Sequence, residues 1–593
     1  MTATAPATAG PGRGGAVARL WALAGPRRAR LARGVGYKFL QSVCAGVPFG
    51  VLVLIIDQLR TGTLAAAGAW ALVAVIVAGF AGQLVFGYLS ASATWLTAYQ
   101  LVCDMRLAAL QHLRRLPMSF HIGRQQGETS AVFTSDMQAV EGFASNGLST
   151  VAQALGLPLV VFAVLVAVDP LLAVAVLVSI VVAMPVLSWS NRRFTELGVQ
   201  RQDLQAGATS RMIEYVQGIA VIRAFNQGGA RQERFRQALD DFSDISFAMV
   251  ARLLPGGLVF AAIVQAGIPI VITAATYSLL GGRIDATTMI LFLVLSLNVF
   301  QPVLALLEVM ETLRLADASL ARIDRVMREP VQTQPVTPAV PSGHGIEFTD
   351  VTFGYLPGRP VLDGVSFTVP ERSMTALVGP SGAGKSTVLN LVGRFFDVDS
   401  GHVRIGGADV RDLTTETLYE QISVVFQDVY LFQGSIYDNI AFGSPDATPE
   451  RVESAARAAQ AHEFVQRLPD GYASRVGEGG ATLSGGERQR ISIARAILKD
   501  APIVLLDEAT AAIDPTNERL VQEALARLVQ DKTLLVVAHK LTTIQEADQI
   551  LVLDGGRIAQ RGAHDELVTH DGSYARFWSE RHRAMGWQIT TAP

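Results

Sequence analysis

A glycine-rich segment in the second half of the chain constrains the fold more than any other feature. Residues 379–387 follow the apolar run Met374–Val378. A strand that runs into such a loop, which then opens a helix, is the required context of a phosphate-binding P-loop. Backbone amides of the loop and of the helix start cradle phosphate oxygens there. We therefore predict a nucleoside triphosphate site formed by Gly379, Pro380, Ser381, Gly382, Ala383, Gly384, Lys385, Ser386 and Thr387.

Four side chains in and after this loop carry the predicted chemistry. Lys385 brings a cation to the β- and γ-phosphates, and the Ser386 hydroxyl is a predicted Mg²⁺ ligand. The apolar run 503–506 predicts a buried strand that ends in Asp507 and Glu508. Asp507 is placed to hold Mg²⁺ through water, and Glu508 to polarise the attacking water as a general base or by orienting it. The alternative is a carboxylate pair that only caps a strand.

The first half of the chain is much more apolar than the second. Hydrophobic residues make up 50% of the 593 residues and charged residues 17%, and nearly all long apolar runs precede residue 315. At ~20 residues per span, these runs predict about six transmembrane helices. Long, arginine-rich connections alternate with short, weakly charged ones, so the positive-inside rule places the N-terminus and the C-terminal half in the cytoplasm. The predicted spans lie near residues 36–58, 65–97, 147–168, 171–189, 250–280 and 284–307.

Composition also predicts how the chain is divided. Residues 1–35 are expected to be a disordered, basic N-terminus, and residues 36–328 a membrane α-helical bundle with long cytoplasmic extensions. The proline-rich stretch 329–344 is a predicted stiff linker. Short β-rich runs alternate with helical ones over residues 345–580, which predicts a soluble α/β domain with a largely parallel sheet. Residues 581–593 form a tail, and the net charge of −3 argues against a nucleic-acid partner.

Further motifs occur at characteristic distances from the P-loop. Residues 483–487 read Leu-Ser-Gly-Gly-Glu, Gln427 follows Val-Phe, His539 follows Val-Ala, and Tyr355 follows Phe-Gly. Together these motifs resemble those of ABC transporters, and the whole chain resembles a half-transporter of the exporter (type IV) fold. The resemblance implies that Tyr355 stacks on the adenine of ATP and that Gln427 contacts Mg²⁺ and the attacking water. It also implies that His539 contacts the γ-phosphate and holds the catalytic Glu508.

The resemblance assigns the signature motif to the ATP of a partner subunit. In that family the serine hydroxyl and glycine amides of the motif bind the γ-phosphate of ATP held by the opposite subunit. Glutamate stands here where glutamine is frequent. The implied residues are Leu483, Ser484, Gly485, Gly486 and Glu487.

The same resemblance covers segments that link the two halves of such transporters. Asp514 ends Ala-Ala-Ile-Asp, which resembles the D-loop although Ser-Ala-Leu-Asp is the usual form. Glu478 lies in a segment similar to the loop that touches the partner's membrane helices. Phe120 and His121 resemble the first coupling segment, and Glu214 with Gly218 the second. The alternative for both coupling segments is a charged, solvated loop.

The resemblance implies an ATP hydrolase coupled to transport, which uses ATP and Mg²⁺ in a bacterial cytoplasmic membrane. One copy contains one of each motif, so complete sites require a dimer. Residues 507–518 and the tail resemble siderophore importers of the mycobactin and yersiniabactin type, which work as heterodimers. We therefore expect import of an iron–siderophore complex with a second, different half-transporter. The alternatives are an exporter of a lipid, peptide or drug-like amphiphile, a homodimer, and a regulatory subunit that binds ATP without hydrolysing it.

Overall fold

The described residues form two compact units. One contains residues 16–115 and 126–330, and the other contains residues 116–122 and 331–585. The chain therefore passes between the units after Arg115, between residues 122 and 126, and after Pro330. The computed structural model describes residues 16–63, 65–122, 126–226, 228–480, 482–507, 515–538 and 544–585.

All described secondary-structure elements of the first unit are helical. A 3₁₀ turn at Gly25–Arg27 and π-helical turns at Val132–Asp136 and Phe143–Gly147 interrupt the helices. One short helix, α4 (Met118–Ile122), belongs to the second unit. The other helices are α1 (Ala16–Ala24), α2 (Arg28–Thr61), α3 (Ala66–Leu113), α5 (Gln126–Ala131), α6 (Met137–Gly142), α7 (Leu148–Val168), α8 (Pro170–Gln217), α9 (Ile219–Ala224), α10 (Gly228–Leu280), α11 (Ala286–Leu304) and α12 (Leu306–Met327).

Helices cover all six stretches that the sequence predicts to span a membrane, which confirms the predicted helical membrane region. They are α2, α3, α7, α8, α10 and α11. The 48 residues of α3 correspond to about 70 Å, more than twice the hydrocarbon core of a bilayer. Within the described residues, four stretches are long and apolar enough to cross a membrane, and two shorter ones lie at Leu172–Val182 and Ala286–Phe300. The four are Val17–Leu59, Ala66–Leu113, Thr129–Ala167 and Leu258–Leu280.

In the N-terminal segment 1–35, which is expected to be disordered and basic, the described residues 16–35 are helical. Residues 16–24 form α1, and α2 already begins at Arg28. The sequence Ala-Val-Ala-Arg-Leu-Trp-Ala-Leu-Ala contains no helix breaker, and Leu20 and Ala24 are buried. Burial of this apolar face explains why a short basic segment is helical here. Residues 1–15 lie outside the described residues.

The second unit contains the nucleotide-binding half of the chain. Its helices, besides α4, are α13 (Lys385–Val392), α14 (Thr415–Gln421), α15 (Ile436–Ala441), α16 (Pro449–Ala458), α17 (His462–Arg467), α18 (Gly485–Lys499), α19 (Pro515–Leu528), α20 (His564–Thr569) and α21 (Ser573–Met585). Its strands are β1 (Ile346–Phe353), β2 (Leu362–Val369), β3 (Met374–Val378), β4 (Ser400–Ile405), β5 (Ala408–Asp409), β6 (Ile422–Val425), β7 (Gly434–Ser435), β8 (Arg475–Val476), β9 (Ile503–Asp507), β10 (Thr533–Val537), β11 (Gln549–Asp554) and β12 (Arg557–Gly562).

The described strands form one largely parallel sheet and two antiparallel ones. The six-stranded sheet has the order β12-β11-β3-β10-β9-β6, and only the β11–β12 pair is antiparallel. A four-stranded antiparallel sheet has the order β2-β1-β4-β5, and β7 pairs with β8. The β-rich run at the start of this domain, β1, therefore belongs to the antiparallel sheet. The prediction of a largely parallel sheet holds for β3, β6, β9, β10 and β11.

The central strands are buried on both faces, and their sequences are therefore continuous apolar runs. Along β9, Val504 and Leu506 contribute to one hydrophobic core, whereas Ile503 and Leu505 contribute to a second core on the opposite face. Burial on both faces is typical of parallel sheets and explains why these strands lack polar alternation. The carboxyl ends of four parallel neighbours, β3, β10, β9 and β6, consequently lie at one edge of the sheet.

Glycines allow α2 to approach α3 and α7 closely within the first unit. A Cβ at Gly46 would lie 2.6 Å from Val160 Cγ1, and one at Gly156 would lie 2.7 Å from Ser42 Cβ. Small residues at helix contacts permit such close packing between membrane helices. The contact between α2 and α7 thus depends on the missing side chains.

We predict that Gly156→Ala destabilises the first unit by about 1–3 kcal/mol, because the new methyl group overpacks the α2–α7 contact. The matched control is Gly50→Ala on α2, where a Cβ would meet nothing within 4 Å. That change should be neutral or slightly stabilising, since alanine favours helices. Thermal aggregation temperatures of the purified protein in detergent measure both. Equal aggregation temperatures for the two variants would contradict the close-contact argument.

Candidate nucleotide-binding site

The P-loop lies where β3 ends and α13 begins. Gly379 and Gly384 have φ values of 149° and 101°, a region that favours glycine. A Cβ at Gly379 would collide with the Leu553 carbonyl oxygen, and one at Gly384 would lie 2.8 Å from Leu362 Cδ2. Both steric space and backbone conformation therefore require glycine. The resulting turn leaves the amides at the start of α13 available to an anion.

The lysine of the loop is buried and already held in place. Lys385 is 7% exposed, and its Nζ donates to the carbonyl oxygens of Gly379 at 3.0 Å and Pro380 at 2.9 Å. Neutral carbonyls satisfy the ammonium without cancelling its charge. The charge is thus fixed within the loop, where it can act on phosphate oxygens.

Two of the predicted Mg²⁺ ligands, Ser386 and Asp507, lie next to each other. Ser386 Oγ on α13 donates to Asp507 Oδ1 at the end of β9, at a distance of 3.1 Å. A hydroxyl and a carboxylate oxygen are hard ligands that fit Mg²⁺, which takes its remaining ligands from water and phosphate. The donor set therefore fits the implied ion, with Ser386 and Asp507 on the protein side.

Tyr355 is fixed beside the first turn of α13. Its hydroxyl lies 3.1 Å from Thr387 Oγ1, and its ring packs edge-on against Phe353 and Phe396 at centroid distances of 5.1 Å. The side chain remains 45% exposed. An aromatic ring in a fixed orientation, with part of its surface open to solvent, can stack on a base.

Three predicted site residues, Gln427, Glu508 and His539, follow strands of the parallel sheet. β6 pairs with β9 so that Val425 is opposite Leu506, and Gln427 therefore emerges at the same edge as Asp507. Val537 of β10 is opposite Asp507. In the sequence, Glu508 directly follows β9, and His539 lies two residues after the end of β10. Both residues, and Asp514, lie outside the described residues.

The signature motif begins a different helix. Ser484 is the N-cap of α18, and its hydroxyl accepts from the Glu487 amide at 3.3 Å. The Glu487 carboxylate accepts in turn from the Ser484 amide and hydroxyl, both at 2.8 Å. Such a capping box fixes the start of the helix. Leu483 and Gly486 are buried, whereas Ser484 and Gly485 are exposed.

The predicted coupling residues lie in separate units. Phe120 and His121 belong to α4, which is part of the nucleotide-binding unit, where the Met118 amide donates to the Phe395 carbonyl at 3.2 Å. Glu214 and Gly218 lie in the first unit at the end of α8, where the Gly218 amide donates to the Glu214 carbonyl at 2.9 Å. Glu478 lies in a short 3₁₀ turn at Glu478–Gly480, and its side chain is not among those described.

Sequence reasoning missed an open, aromatic groove of the second unit. Its volume is about 470 Å³. Arg495 on α18 forms one wall; its guanidinium lies over Phe432 and Phe442 and donates to the Tyr430 carbonyl at 2.8 Å. Burial lowers the pKa of Arg495 to about 10. The aromatic residues on either side of Gln427 were the available sequence signal. Four of them are exposed here: Phe426, Tyr430, Phe432 and Phe442.

We predict that the Tyr355 hydroxyl and ring contribute separately to ATP affinity. Tyr355→Phe removes the hydroxyl contacts with Thr387 at 3.1 Å and Asn390 at 3.5 Å and should weaken ATP binding about two- to tenfold. Tyr355→Ala also removes the stacking surface and should weaken binding by a further factor of about 5 to 100. Isothermal titration with a non-hydrolysable ATP analogue measures both. Tyr419→Phe, whose hydroxyl bonds to the Gly393 carbonyl, is the control and should leave the affinity unchanged.

Ser386→Ala removes one of the predicted Mg²⁺ ligands and leaves Asp507 without its 3.1 Å hydroxyl donor. The Mg²⁺ concentration that gives half-maximal ATPase activity should therefore rise about tenfold. Nucleotide binding measured in EDTA should change little. A normal Mg²⁺ dependence in this variant would contradict the ligand assignment.

The comparisons with known proteins agree with this geometry. Residues 47–303 match the family described as ABC transporter transmembrane region, and residues 362–511 match the family described as ABC transporter. The mycobactin import ATP-binding/permease protein IrtB of Mycolicibacterium smegmatis is 36% identical over 519 residues, covering 85% of this chain and 90% of that protein. The putative multidrug export ATP-binding/permease protein YgaD of Bacillus subtilis is 35% identical over 495 residues, covering 82% and 84%.

A solved structure gives the same fold over most of the chain. The structure of a bacterial Atm1-family ABC exporter with ATP bound superposes with a TM-score of 0.80 at 27% identity. The match covers 95% of this chain and 99% of that one. The likeness therefore spans the helical and nucleotide-binding parts together.

Proposed function

The chain belongs to the ABC transporters as a half-transporter of the exporter type, and from that premise we propose that it hydrolyses ATP to drive a cargo across a bacterial cytoplasmic membrane. The main support is the hydrogen-bonded pair Ser386–Asp507 next to the buried Lys385. The other unit of the chain contains helices long and apolar enough to cross a membrane. A phosphate loop with an assembled oxygen ligand pair supports hydrolysis of a magnesium-bound nucleotide.

Each residue has a defined role in this proposal. The P-loop amides and Lys385 hold the phosphates, Tyr355 orients the adenine, and Ser386 with Asp507 holds the magnesium ion. A bound magnesium ion neutralises charge that develops on the transferring phosphoryl group. Glu508 orients and deprotonates the attacking water, while Gln427 and His539 position that water and the γ-phosphate.

The active form is a dimer, because each chain offers one P-loop and one signature. Ser484 and Gly485 are exposed at the start of α18, which supports their contact with a nucleotide held by another subunit. Binding of two ATP molecules then favours the closed pair, and hydrolysis reopens it. Our preferred partner is a second, different half-transporter, in line with the resemblance to heterodimeric siderophore importers.

Two short helices are the proposed couplers. α4 packs on the nucleotide-binding unit through the Met118–Phe395 hydrogen bond. α9 presents exposed apolar side chains at Ile219, Val221 and Phe225. In the dimer, we assign the aromatic groove beside Arg495 to the corresponding α9 segment of the partner subunit, since exposed apolar surfaces of both kinds become buried together.

We propose an iron–siderophore complex as the cargo, moved towards the cytoplasm. The similarity to a mycobactin import protein over nearly the full length of both proteins supports this direction. The competing candidate is export of a lipid, peptide or drug-like amphiphile, which the likeness to an Atm1-family exporter and to a putative multidrug export protein favours.

Uptake of ⁵⁵Fe-labelled ferric mycobactin distinguishes the two directions. Right-side-out vesicles loaded with ATP and containing the chain with its partner should accumulate the label, and vesicles with Lys385→Ala should not. ATP-dependent accumulation in inside-out vesicles would instead establish export and overturn the import proposal.

Glu508→Gln tests the catalytic assignment against a regulatory role. The charge needed to activate water is lost, so the ATPase rate of the purified complex should fall by a factor of about 10² or more while ATP binding persists. The control Glu518→Gln, in the first turn of α19, should retain activity. An unchanged ATPase rate in Glu508→Gln would contradict the assignment and favour a subunit that only binds ATP.

A further inference from the structure

The first unit contains a buried carboxylate that the nucleotide chemistry does not use. Asp136 is 2% exposed, within a stretch of helix after the second chain crossing. Its oxygens accept from Ser319 Oγ at 3.0 Å, from Arg322 Nε at 2.9 Å, and from Arg322 Nη2. A carboxylate removed from water persists only with such compensation. We call these three residues the Asp136 clamp.

The clamp joins two parts of the chain that lead to the nucleotide-binding unit. Asp136 follows α5, which begins at residue 126 directly after the second crossing. Ser319 and Arg322 are on α12, which ends at Met327, three residues before the last crossing at Pro330. The clamp therefore connects positions 183 and 186 residues apart in sequence, each close to a covalent link with the other unit.

The surroundings of the clamp are tightly packed. α12 packs against α6 and against both π-helical turns, which flank α6. Both packed segments carry buried apolar residues. They are Val132, Met137, Val140 and Phe143 in the segment around α6, and Ala316, Leu320 and Ile323 on α12. π-helical turns displace the register of a helix and occur frequently at functional sites. Here the first of them ends at Asp136 itself.

We propose, on the basis of the ATP-driven transport proposed above, that the Asp136 clamp is a positioning device that couples ATP-driven movement to the membrane helices. Movement of the nucleotide-binding unit reaches the first unit through the covalent links near α5 and α12. With the clamp formed, both links move as one body and displace the helices together. Without the clamp, the segments at α5 and α12 move independently of each other. ATP hydrolysis then produces less movement of the membrane helices at the end of the helical bundle away from these links.

A readout that does not depend on the cargo tests this proposal. Ile56 packs in the hydrophobic core near the end of α2, which is followed by the 48-residue α3 leading to Arg115. Ile56→Cys, in a chain with Cys44→Ala and Cys103→Ala, reports access from that end to a membrane-impermeant maleimide. In vesicles that contain the chain and its partner, ATP with vanadate should change the modification rate about fivefold or more.

Asp136→Asn should abolish this ATP-dependent change while most of the ATPase activity remains. Asp136→Asn combined with Arg322→Gln replaces the ion pair with a neutral hydrogen-bonded pair and should restore most of the change. Asp324→Asn is the matched control, since it removes an exposed ion pair of the same residue types, Asp324 with Arg328, from the same helix. That variant should behave as the parent does.

Two outcomes would overturn the proposal. One is an ATP-dependent change in Asp136→Asn equal to that of the parent. The other is a parallel loss of ATPase activity and of the change that the double variant does not recover, because this indicates a role in folding alone. Ser319→Ala keeps the ion pair and provides the milder test: it should retain the change, and its loss with normal ATPase activity would also count against the ion pair as the coupling element.

Discussion

The parallel register of the central sheet is the constraint on which the nucleotide site depends. Every parallel strand delivers its carboxyl end to one edge, so the chain segments that follow β3, β6, β9 and β10 meet there. The P-loop follows β3, Gln427 follows β6, and Asp507 ends β9. The 3.1 Å contact between Ser386 and Asp507 is a direct result, although 121 residues separate them in sequence. The continuous apolar burial of these strands stabilises the edge that holds the site.

Glycine geometry then fixes where the phosphates bind. The loop between β3 and α13 passes so close to the Leu553 carbonyl and the Leu362 side chain that no Cβ fits at Gly379 or Gly384. This close approach turns the chain directly from strand into helix and places Lys385 inside the turn. A polar contact made by a side chain is lost with one substitution, but this arrangement is built from backbone and is supported by two neighbouring strands.

The sequence predicts those parts of the fold that have a local signal. Buried parallel strands are continuous apolar runs, and the spacing of glycines and Lys385 defines the P-loop without tertiary information. The antiparallel sheet was missed in β2 and β4, where exposed polar positions alternate with buried ones and the runs are interrupted by glycine. Residues 16–24 form a helix in which Leu20 and Ala24 are buried, and this burial cannot be read from the basic composition of the segment. The pairing of Asp136 with Arg322 has no local signal at all, since it depends on two helices that meet only in the folded bundle.

A single helix links the signature to the segment that follows Gln427. Ser484 caps the start of α18, and Arg495, ten residues after Gly485, is on the same helix. Arg495 donates to the Tyr430 carbonyl and stacks over Phe432 and Phe442, and burial, which lowers its pKa to about 10, shows how closely the groove surrounds it. Because α18 is a continuous helix, displacement of its N-terminus by a partner's nucleotide moves the wall of the groove as well. The signature residues proposed to contact the partner's ATP and the groove proposed to receive the partner's membrane unit therefore lie along one continuous helix.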